Sequence, residues 1–492
     1  MEHRMFNRTS RLAAACVLII AGTAFSLPAE PPADSKAPPS AAATDADVKA
    51  ALDAYSKKVS EAIKAKENVR EAYAKAAGEA LDSLNVETLT VDQFERLRPT
   101  VLSYAPKIDP AMARLAELSK DRGADGARAA VMRLTLIRQV KDAGAQKEII
   151  HEALTHPGLA TALQDGKATE VFSAVGSLPK EMQGEAAGAL VKFDKVIPTD
   201  LKPEIAPRLA TLMQGLAEGT GTTPEQREPL RQKCLAVIAG AAEKTAAKGE
   251  EIAKARSALK AGDETDEGKA AAKKIETDEK ANAALARSLT NAKAYVDGAY
   301  VKGQLVDNHS PPIDFIWCSV QPAYKSIDDL KGKVVVVDFW ATWCLPCMRS
   351  IPKVREMVKR YEGYPVVFLG VTSIQGRHID RSDPKSPKTI DTKGDPEKEV
   401  SLMPGFIKQM DITWPIVFSR QDVFNPDYGV RGIPHVAILD PKGTVRFRGM
   451  NPLTVVHAEE CAMIDGLLKE AGLPTPPPPP AEEKKVDDKS GD

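Results

Sequence analysis

The sequence lacks a surplus of charge of either sign. Over 492 residues, 67 lysine and arginine residues are balanced by 68 aspartate and glutamate residues, and the formal net charge is −1 at pH 7. Proteins that bind nucleic acid regardless of its sequence rely on a broad basic surface, which this composition does not supply. We therefore expect no nucleic-acid partner. At ~100 to 200 residues per domain, the length indicates two to four domains.

Aromatic residues are scarce, at 5% of the chain, and they are distributed unevenly. Residues 46–289 contain six of them and no tryptophan, whereas residues 302–473 contain fifteen, including all four tryptophans. This difference indicates that the two parts of the chain have different architectures.

The apolar run near the start of the sequence is short. It covers residues 12–25, follows three arginines, and falls below the ~20 residues that a membrane-spanning helix needs. This arrangement is typical of a signal peptide, which we place at residues 1–26, followed by a Pro/Ala-rich linker at residues 27–45. We expect export to the periplasm or another extracytoplasmic compartment. An uncleaved signal that tethers the protein to the membrane is the alternative.

Residues 46–300 contain no pattern that indicates catalysis. Apolar residues recur every three or four positions between residues 48 and 80, which predicts a long amphipathic helix. Shorter apolar patterns separated by prolines predict helix pairs, and the Ala-, Lys- and Glu-rich residues 240–291 predict a solvated helix or helix pair. Cys234 lies in an apolar helical pattern and is expected to be an inert buried thiol. We expect an all-α region of unknown function.

The sequence also lacks a complete set of metal ligands. Cys344 and Cys347 form one Cys-x-x-Cys pair, with no second pair and no neighbouring histidine pair, and His151 and His156 have no further ligands beside them. A structural zinc ion normally needs four protein ligands. We therefore expect no metal and no other cofactor.

The chemistry-bearing residues follow a buried strand. Four consecutive valines at residues 334–337 predict a strand covered on both faces, and the segment Trp-Cys-Leu-Pro-Cys at residues 343–347 then opens an amphipathic helix. The free N–H groups and positive dipole end of a helix stabilise a thiolate, so we expect the pKa of Cys344 to lie below the ~8.5 of a free cysteine. Cys347 is near enough to resolve a mixed disulfide, so the pair is a candidate redox-active disulfide.

The rest of this part alternates strands and helices. Further strand patterns occur at residues 366–369, 414–418, 436–439 and 445–447, and a final helix is predicted at about residues 453–471. We expect a multidomain protein in which an N-terminal all-α region precedes a C-terminal α/β domain.

Three motifs now indicate a family. They are Asp-Phe-Trp-Ala-Thr-Trp-Cys at residues 338–344 with Cys347, Pro352 in the following helix, and Gly-Val-Arg-Gly-Ile-Pro at residues 429–434. Residues 302–473 resemble the thioredoxin superfamily, and most closely its exported TlpA/ResA-type thiol-disulfide oxidoreductases. The resemblance implies a thioredoxin-like fold for about a third of the chain and says nothing about the helical region.

The resemblance also implies roles for the residues of the dithiol. Cys344 corresponds to the attacking thiol and Cys347 to the buried resolving thiol. Asp338 corresponds to a buried carboxylate that assists proton transfer at the resolving cysteine. The alternative is a purely structural role, in which Asp338 is a hydrogen-bonded polar residue at the end of the strand. The implied partners are protein disulfides and an unidentified thiol that supplies electrons.

Three further residues correspond to positions at which the family binds substrate. Pro434 matches the family's cis-proline, which would hold the Ile433 backbone against the dithiol, ready to pair with a substrate strand. Trp343 matches an aromatic residue that shields the attacking sulfur, although packing alone is an equal alternative. His435 either stabilises a nearby thiolate or points to the opposite face of its strand.

Other features depart from the family pattern or stay open. Many exported members have a glutamate where this chain has Ser350, so the role that the family assigns to that acid does not carry over. Leu345-Pro346 replaces the commoner Gly-Pro, and because this dipeptide tunes the redox potential, the direction of electron flow is not set. Ile433 before the proline resembles the reducing members of the family, which favours a reducing role. Three alternatives stay open for Cys318 and Cys461: they are inert core thiols, they form a structural disulfide, or they are accessory redox cysteines.

Two charged segments complete the chain. Residues 375–399 contain twelve charged residues and three prolines, and we expect a mobile charged loop inserted into the domain. This loop is either a tolerated surface insertion or a segment that recognises a specific partner. Residues 474–492 form a Pro-rich, charged tail that we expect to be disordered.

The leading hypothesis is an exported oxidoreductase that reduces or exchanges protein disulfides through Cys344 and Cys347. The alternative is a helical interaction or scaffold protein with the thioredoxin-like domain as an auxiliary redox switch.

Overall fold

A computed structural model describes residues 42–477, with gaps at residues 179, 220, 260–264, 384–385 and 456. The predicted signal peptide, most of the predicted linker and most of the predicted tail lie outside the described residues. Within the described part, none of the helices combines the length and the apolar composition needed to cross a membrane.

Twelve helices are described before the sheet begins. They are α1 (Asp45–Lys64), α2 (Val69–Asp82), α3 (Val91–Leu97), α4 (Asp109–Leu118), α5 (Ala124–Thr135), α6 (Ala143–Thr155), α7 (Leu159–Gln164), α8 (Val171–Ser177), α9 (Lys180–Leu190), α10 (Arg208–Glu218), α11 (Pro224–Ala258) and α12 (Asp266–Asp297). Short 3₁₀ or π turns lie at Val86–Thr88, Arg98–Leu102, Ile137–Gln139 and Val191–Lys195. The predicted all-α region is confirmed.

The single helix predicted between residues 48 and 80 is wrong, because two helices occupy this segment. Lys66 adopts a left-handed backbone with φ of +58°, and Asn68 then caps α2 by accepting a hydrogen bond from the Arg70 N–H. A left-handed residue cannot continue a right-handed helix. The chain therefore reverses, and α2 packs against α1.

The last two helices of this region, α11 and α12, form a long antiparallel pair. Arg231 near the start of α11 forms an ion pair with Asp297 at the end of α12, at 2.9 Å. Arg256 near the end of α11 forms an ion pair with Glu279, farther from the end of α12. This pair includes the solvated helix pair predicted at residues 240–291.

Eight strands and three helices are described in the C-terminal part. They are β1 (Phe315–Cys318), β2 (Val334–Phe339), α13 (Leu345–Arg360), β3 (Val366–Ser373), β4 (Arg377–Asp380), β5 (Lys388–Asp391), α14 (Pro396–Gln409), β6 (Ile416–Ser419), β7 (His435–Leu439), β8 (Val445–Met450) and α15 (His457–Glu470), with a 3₁₀ turn at Ile327–Leu330.

Six of these strands form one mixed sheet in the order β1-β6-β3-β2-β7-β8. Strands β2, β3 and β6 run parallel to one another. Strand β1 pairs antiparallel with β6, β7 pairs antiparallel with β2, and β8 pairs antiparallel with β7. All six residues of β2 are buried, as the valine run predicts for a central strand.

The two faces of the sheet belong to different cores. Val334 and Val336 pack with apolar residues of α13, α14 and α15. Val335 and Val337 point the other way, into a core that continues through Val301 and Leu305 to α12 and the helices before it. The helical region therefore covers one face of the sheet.

The charged insertion at residues 375–399 is not an irregular loop. Its strands β4 and β5 pair as a separate antiparallel hairpin. The Glu399 carboxylate closes its base by accepting hydrogen bonds from the N–H groups of Gln375 and Gly376, both at 2.8 Å, and from the Thr392 hydroxyl at 2.7 Å. A buried carboxylate with three donors holds the two ends of the insertion together.

Candidate active site

The dithiol lies where the central strand passes into α13. Cys344 is the N-cap residue of this helix, Pro346 lies in its first turn, and the two cysteines form a disulfide with Cα atoms 5.2 Å apart. The Cys347 N–H donates a hydrogen bond to Cys344 Sγ at 3.1 Å. On reduction, this N–H and the helix dipole would stabilise a thiolate on Cys344.

The segment that ends at Pro434 lies against the dithiol. The register of β2 and β7 pairs Phe339 with His435, so the residues that precede β7 meet those that follow β2. The Ile433–Pro434 peptide bond is cis, as the resemblance implies, and the Ile433 carbonyl oxygen lies 3.5 Å from Cys344 Sγ. The fold thus brings Cys344, Cys347, Ile433 and Pro434 together, and their catalytic roles stay predictions.

Asp338 is buried on the dithiol side of the sheet. Strand alternation places its side chain on the face of Val334 and Val336, where Cys344 and Cys347 also pack. Its Oδ1 atom has no hydrogen-bond partner among the described residues, and burial, with Glu460 nearby, raises its pKa to about 8. A carboxyl group that holds its proton near neutral pH is suited to proton transfer.

Glu460 is a second buried acid that the sequence analysis missed. It is 5% exposed at the start of α15, which packs against β2, and its Oε2 atom lies 3.5 Å from Lys353 Nζ. Burial raises the pKa of Glu460, and Lys353 partly offsets this effect. The signal available in the sequence is its spacing, since Glu460 falls on the same helical stripe as Ile464 and Leu467.

Trp343 is held by two neighbours. The guanidinium carbon of Arg377 lies 4.5 Å from the centre of the Trp343 ring, and the Phe424 ring stacks at 6.3 Å with an interplanar angle of 29°. Contacts of this kind fix the indole beside the dithiol. The predicted role of Trp343 in substrate binding stays a prediction.

His435 points away from the dithiol. Its ring packs edge-on against Phe339, whose side chain lies in the opposite core from Asp338. Burial, with Arg448 nearby, lowers the pKa of His435 to about 3, so the imidazole is neutral at physiological pH. Of the two alternatives for this residue, the structure supports the opposite-face orientation.

The other described cysteines are separate buried thiols. Cys318 and Cys461 lie in the cores on opposite faces of the sheet and are free, which excludes a disulfide between them in this structure. Cys234 is also buried, and burial raises its pKa to about 12, as expected for an inert thiol. Ser350 is buried and donates a hydrogen bond to the Cys347 carbonyl oxygen at 2.8 Å.

Among the described residues, no group of three or more histidine, cysteine, aspartate or glutamate side chains is placed to hold a metal ion.

The mixed sheet, the Cys-x-x-Cys at the start of the helix after its central strand, and the cis-proline opposite the disulfide define a thioredoxin-like redox domain. Residues 306–460 match the family model described as Redoxin, so the C-terminal part carries a Redoxin domain. The predicted thioredoxin-like fold is thereby confirmed for the C-terminal part.

Relatives with known names match only part of this chain. The thioredoxin-like protein YneN of Bacillus subtilis is 28% identical over 153 residues, which is 31% of this chain and 76% of YneN. The thiol-disulfide oxidoreductase ResA of Geobacillus thermodenitrificans is 29% identical over 133 residues, which is 27% of this chain and 63% of ResA. This chain therefore spans less than two thirds of that ResA.

Solved structures also match a limited part. The thioredoxin domain of a thiol-disulfide oxidoreductase from Bacteroides vulgatus has 22% identity and a TM-score of 0.21, covering 30% of this chain and 89% of that chain. A putative thiol:disulfide interchange protein DsbE from Chlorobium tepidum has 20% identity and a TM-score of 0.23, covering 34% and 96%.

Proposed function

We propose that this protein is an exported thiol-disulfide oxidoreductase that reduces or exchanges protein disulfides through Cys344 and Cys347. The observation that carries the proposal is the position of Cys344 Sγ, between the Cys347 N–H at 3.1 Å and the Ile433 carbonyl oxygen at 3.5 Å. The Cys347 N–H stabilises a thiolate on Cys344. The Ile433 carbonyl oxygen belongs to a backbone segment next to the sulfur, with which a substrate strand can pair.

The thiols of Cys344 and Cys347 together supply the two electrons that reduce a substrate disulfide. The Cys344 thiolate attacks a substrate disulfide, which forms a mixed disulfide and releases one substrate thiolate. Cys347 then loses its proton to the ionised form of Asp338, which is a minor fraction at neutral pH because the pKa of this carboxyl is about 8, and attacks Cys344 Sγ. This attack releases the second substrate thiolate and forms the Cys344–Cys347 disulfide. Two electrons pass to the substrate, and an external thiol must return them.

The test uses the full chain, because α12 contributes Leu289, Ala292 and Val296 to the core that covers the sheet. Removal of the helices would expose that face. The chain is equilibrated in glutathione or dithiothreitol buffers, and Cys344 and Cys347 are followed by the mass shift on thiol alkylation. A two-electron midpoint near or below about −250 mV supports a reductant, which Ile433 also favours, and one near about −120 mV supports an oxidant.

A trapping experiment gives the control. Cys347→Ser is expected to accumulate a mixed disulfide between Cys344 and substrate protein, because the resolving thiol is missing. Cys344→Ser should accumulate none. Absence of a reversible transition in the unmodified chain, or equal trapping by both variants, would refute the proposed activity.

Export is part of the proposal and rests on residues 1–26, which lie outside the described residues. Mass spectrometry of the protein from an extracytoplasmic fraction should find its first residue near residue 27. An intact N-terminus in that fraction would support a membrane tether instead, and recovery in the cytoplasm alone would contradict export.

A second candidate is a helical interaction protein whose redox domain acts as a switch. Two observations favour it. The core on one face of the sheet is shared with α12, and Ile433, whose carbonyl oxygen lies 3.5 Å from Cys344 Sγ, packs against both this core and the core that contains the dithiol. This candidate predicts that oxidation and reduction change hydrogen exchange in α10 and α12, whereas an enzyme alone requires no such change.

A further inference from the structure

We propose that the surface around Cys344 prefers protein disulfides flanked by acidic residues, which it binds through Arg377, Arg381 and Arg431. This inference rests on the proposed function and adds the charge of the substrate to it. Two of the arginines come from the β4–β5 hairpin and the third from the segment before Pro434.

Strand alternation in β4 aims one face of the hairpin at the dithiol. Arg377 lies over the Trp343 ring, and Arg381, just past the strand end, donates from Nη2 to the Thr342 carbonyl oxygen at 3.2 Å. Between them, the Ile379 N–H donates to Thr342 Oγ1 at 3.3 Å. Residues two apart on a strand share a face, so both arginines border the residues just before Cys344.

The opposite face of β4 anchors the hairpin to α14. His378 is buried with its ring edge-on to Phe406 at 5.5 Å, and Asp380 Oδ1 accepts a hydrogen bond from Gln409. Together with the Glu399 carboxylate at the base of the insertion, these contacts hold the arginine face against the active site. The arginines are therefore placed by packing.

The positive charge of these arginines is not neutralised. Within the part of the chain that the structure describes, no carboxylate oxygen lies within 4.0 Å of a side-chain nitrogen of Arg377, Arg381 or Arg431, in contrast to Arg446 on β8, which contacts three acids. Arg431 instead donates to the neutral Thr211 hydroxyl at 2.8 Å, and the buried Nε atom of Arg381 has no partner.

Three acidic side chains nearby have other hydrogen bonds. Asp380 also accepts from the Ser382 N–H, and Asp391, which lies opposite Arg377 in the hairpin register, accepts from the Lys393 N–H. Asp422 accepts from the Phe424 N–H. Unpaired arginines at a binding surface raise the encounter rate with acidic partners and supply donors for their carboxylates.

The experiment compares three disulfide substrates with the reduced full chain. Two are peptides of equal length whose disulfide is flanked by aspartate and glutamate or by lysine, and the third is the neutral hydroxyethyl disulfide. We expect the acidic peptide to be reduced about tenfold faster than the basic one at low salt. The advantage should fall steeply as ionic strength rises from about 0.02 M to about 0.5 M.

Charge-neutral variants locate the effect. Arg377→Gln with Arg381→Gln, and separately Arg431→Gln, should lower the ratio of acidic to basic peptide rates several-fold. Lys388→Gln with Lys393→Gln removes the same charge from the same insertion and should leave the ratio unchanged, because among the described residues neither lysine forms a hydrogen bond or a cation–π contact with Trp343 or Thr342. Circular dichroism and the dithiol potential verify that each variant is folded.

The outcomes separate this inference from the proposed function. Reduction of all three substrates with no preference between the peptides would overturn the charge preference and leave the oxidoreductase intact. An equal loss of preference in the lysine control would also overturn it. If the reduced chain reduces none of the three substrates, both the proposed oxidoreductase function and the proposed preference for acidic substrates are refuted.

Discussion

The phenol of Tyr295, on α12, donates a hydrogen bond to the carbonyl oxygen of Val430 at 2.5 Å. The hydroxyl oxygen of Tyr295 also lies 3.2 Å from the carbonyl oxygen of Phe424, whose ring stacks on Trp343. Burial raises the pKa of Tyr295 to about 12, so the phenol keeps its proton at physiological pH. One side chain of the helical region thereby positions both the Trp343 neighbour and the segment that leads to Pro434.

Tyr295→Phe should weaken substrate use without changing the dithiol itself. Loss of the donor leaves the buried Val430 carbonyl unpaired, and we expect the free energy of unfolding to fall by about 1 to 3 kcal/mol. We also expect a several-fold lower kcat/KM for a peptide disulfide, with an unchanged redox potential, because the contacts of α13 with the sulfurs are kept. Tyr104→Phe, which alters a half-exposed phenol in the same region, is the control. An altered potential in Tyr295→Phe would contradict a purely positioning role.

Asp338 should make the protein less stable as the pH rises. Its pKa is about 8 in the folded chain and near ~3.9 when unfolded, so the folded state holds the extra proton between these values. The stabilisation is complete below about pH 4 and is lost as the pH rises through about 8, with a slope of up to ~1.4 kcal/mol per pH unit. Glu460, whose pKa is also raised, acts in the same direction.

Urea unfolding at several pH values measures this slope. Asp338→Asn should be less sensitive to pH between about pH 5 and pH 8, because its amide does not titrate in that range. Asp53→Asn changes an exposed residue of α1 and should behave like the unmodified protein. A slope in Asp338→Asn equal to that of the unmodified chain would contradict the assignment.

Glu460 should influence the proton transfer at Asp338. Glu460→Gln removes a nearby negative charge and is expected to lower the pKa of Asp338, which moves the pH dependence of mixed-disulfide resolution to more acidic values. Stopped-flow kinetics across pH measure this shift. Glu459→Gln, an exposed neighbour on α15, should leave the profile in place, and an unshifted profile in Glu460→Gln would mean that the two acids act independently.

Glu399 should control the order of the hairpin. Glu399→Gln keeps the size of the side chain but removes the charge that strengthens three hydrogen bonds, at a cost of about 1 to 3 kcal/mol to the local structure. Hydrogen exchange should become faster in residues 375–392 and stay constant in β2. Glu397→Gln, on the exposed side of the same helix, is the comparison, and equal exchange in both variants would rule out the anchoring role.

Local patterns of residues were enough to predict several parts of this protein. Four valines in succession predict a central strand, because only a strand covered on both faces can bury every side chain in turn. The spacing of the two cysteines and the apolar stripe after them place the dithiol at a helix N-terminus. The Gly-Ile-Pro segment identified the cis-proline by resemblance. The proposed roles of these residues and the domain boundaries stay predictions.

Contacts between residues that are far apart in the chain could not be predicted and became visible only in the folded structure. Glu460 lies near Asp338 because α15 packs on β2, and Tyr295 reaches Val430 because α12 lies against the segment before β7. Periodicity specifies which face of an element is apolar but not which element covers it. The hairpin in the charged insertion depends on the Glu399 carboxylate, which accepts three hydrogen bonds from residues at the two ends of the insertion. These donors come together only when the chain folds back on itself.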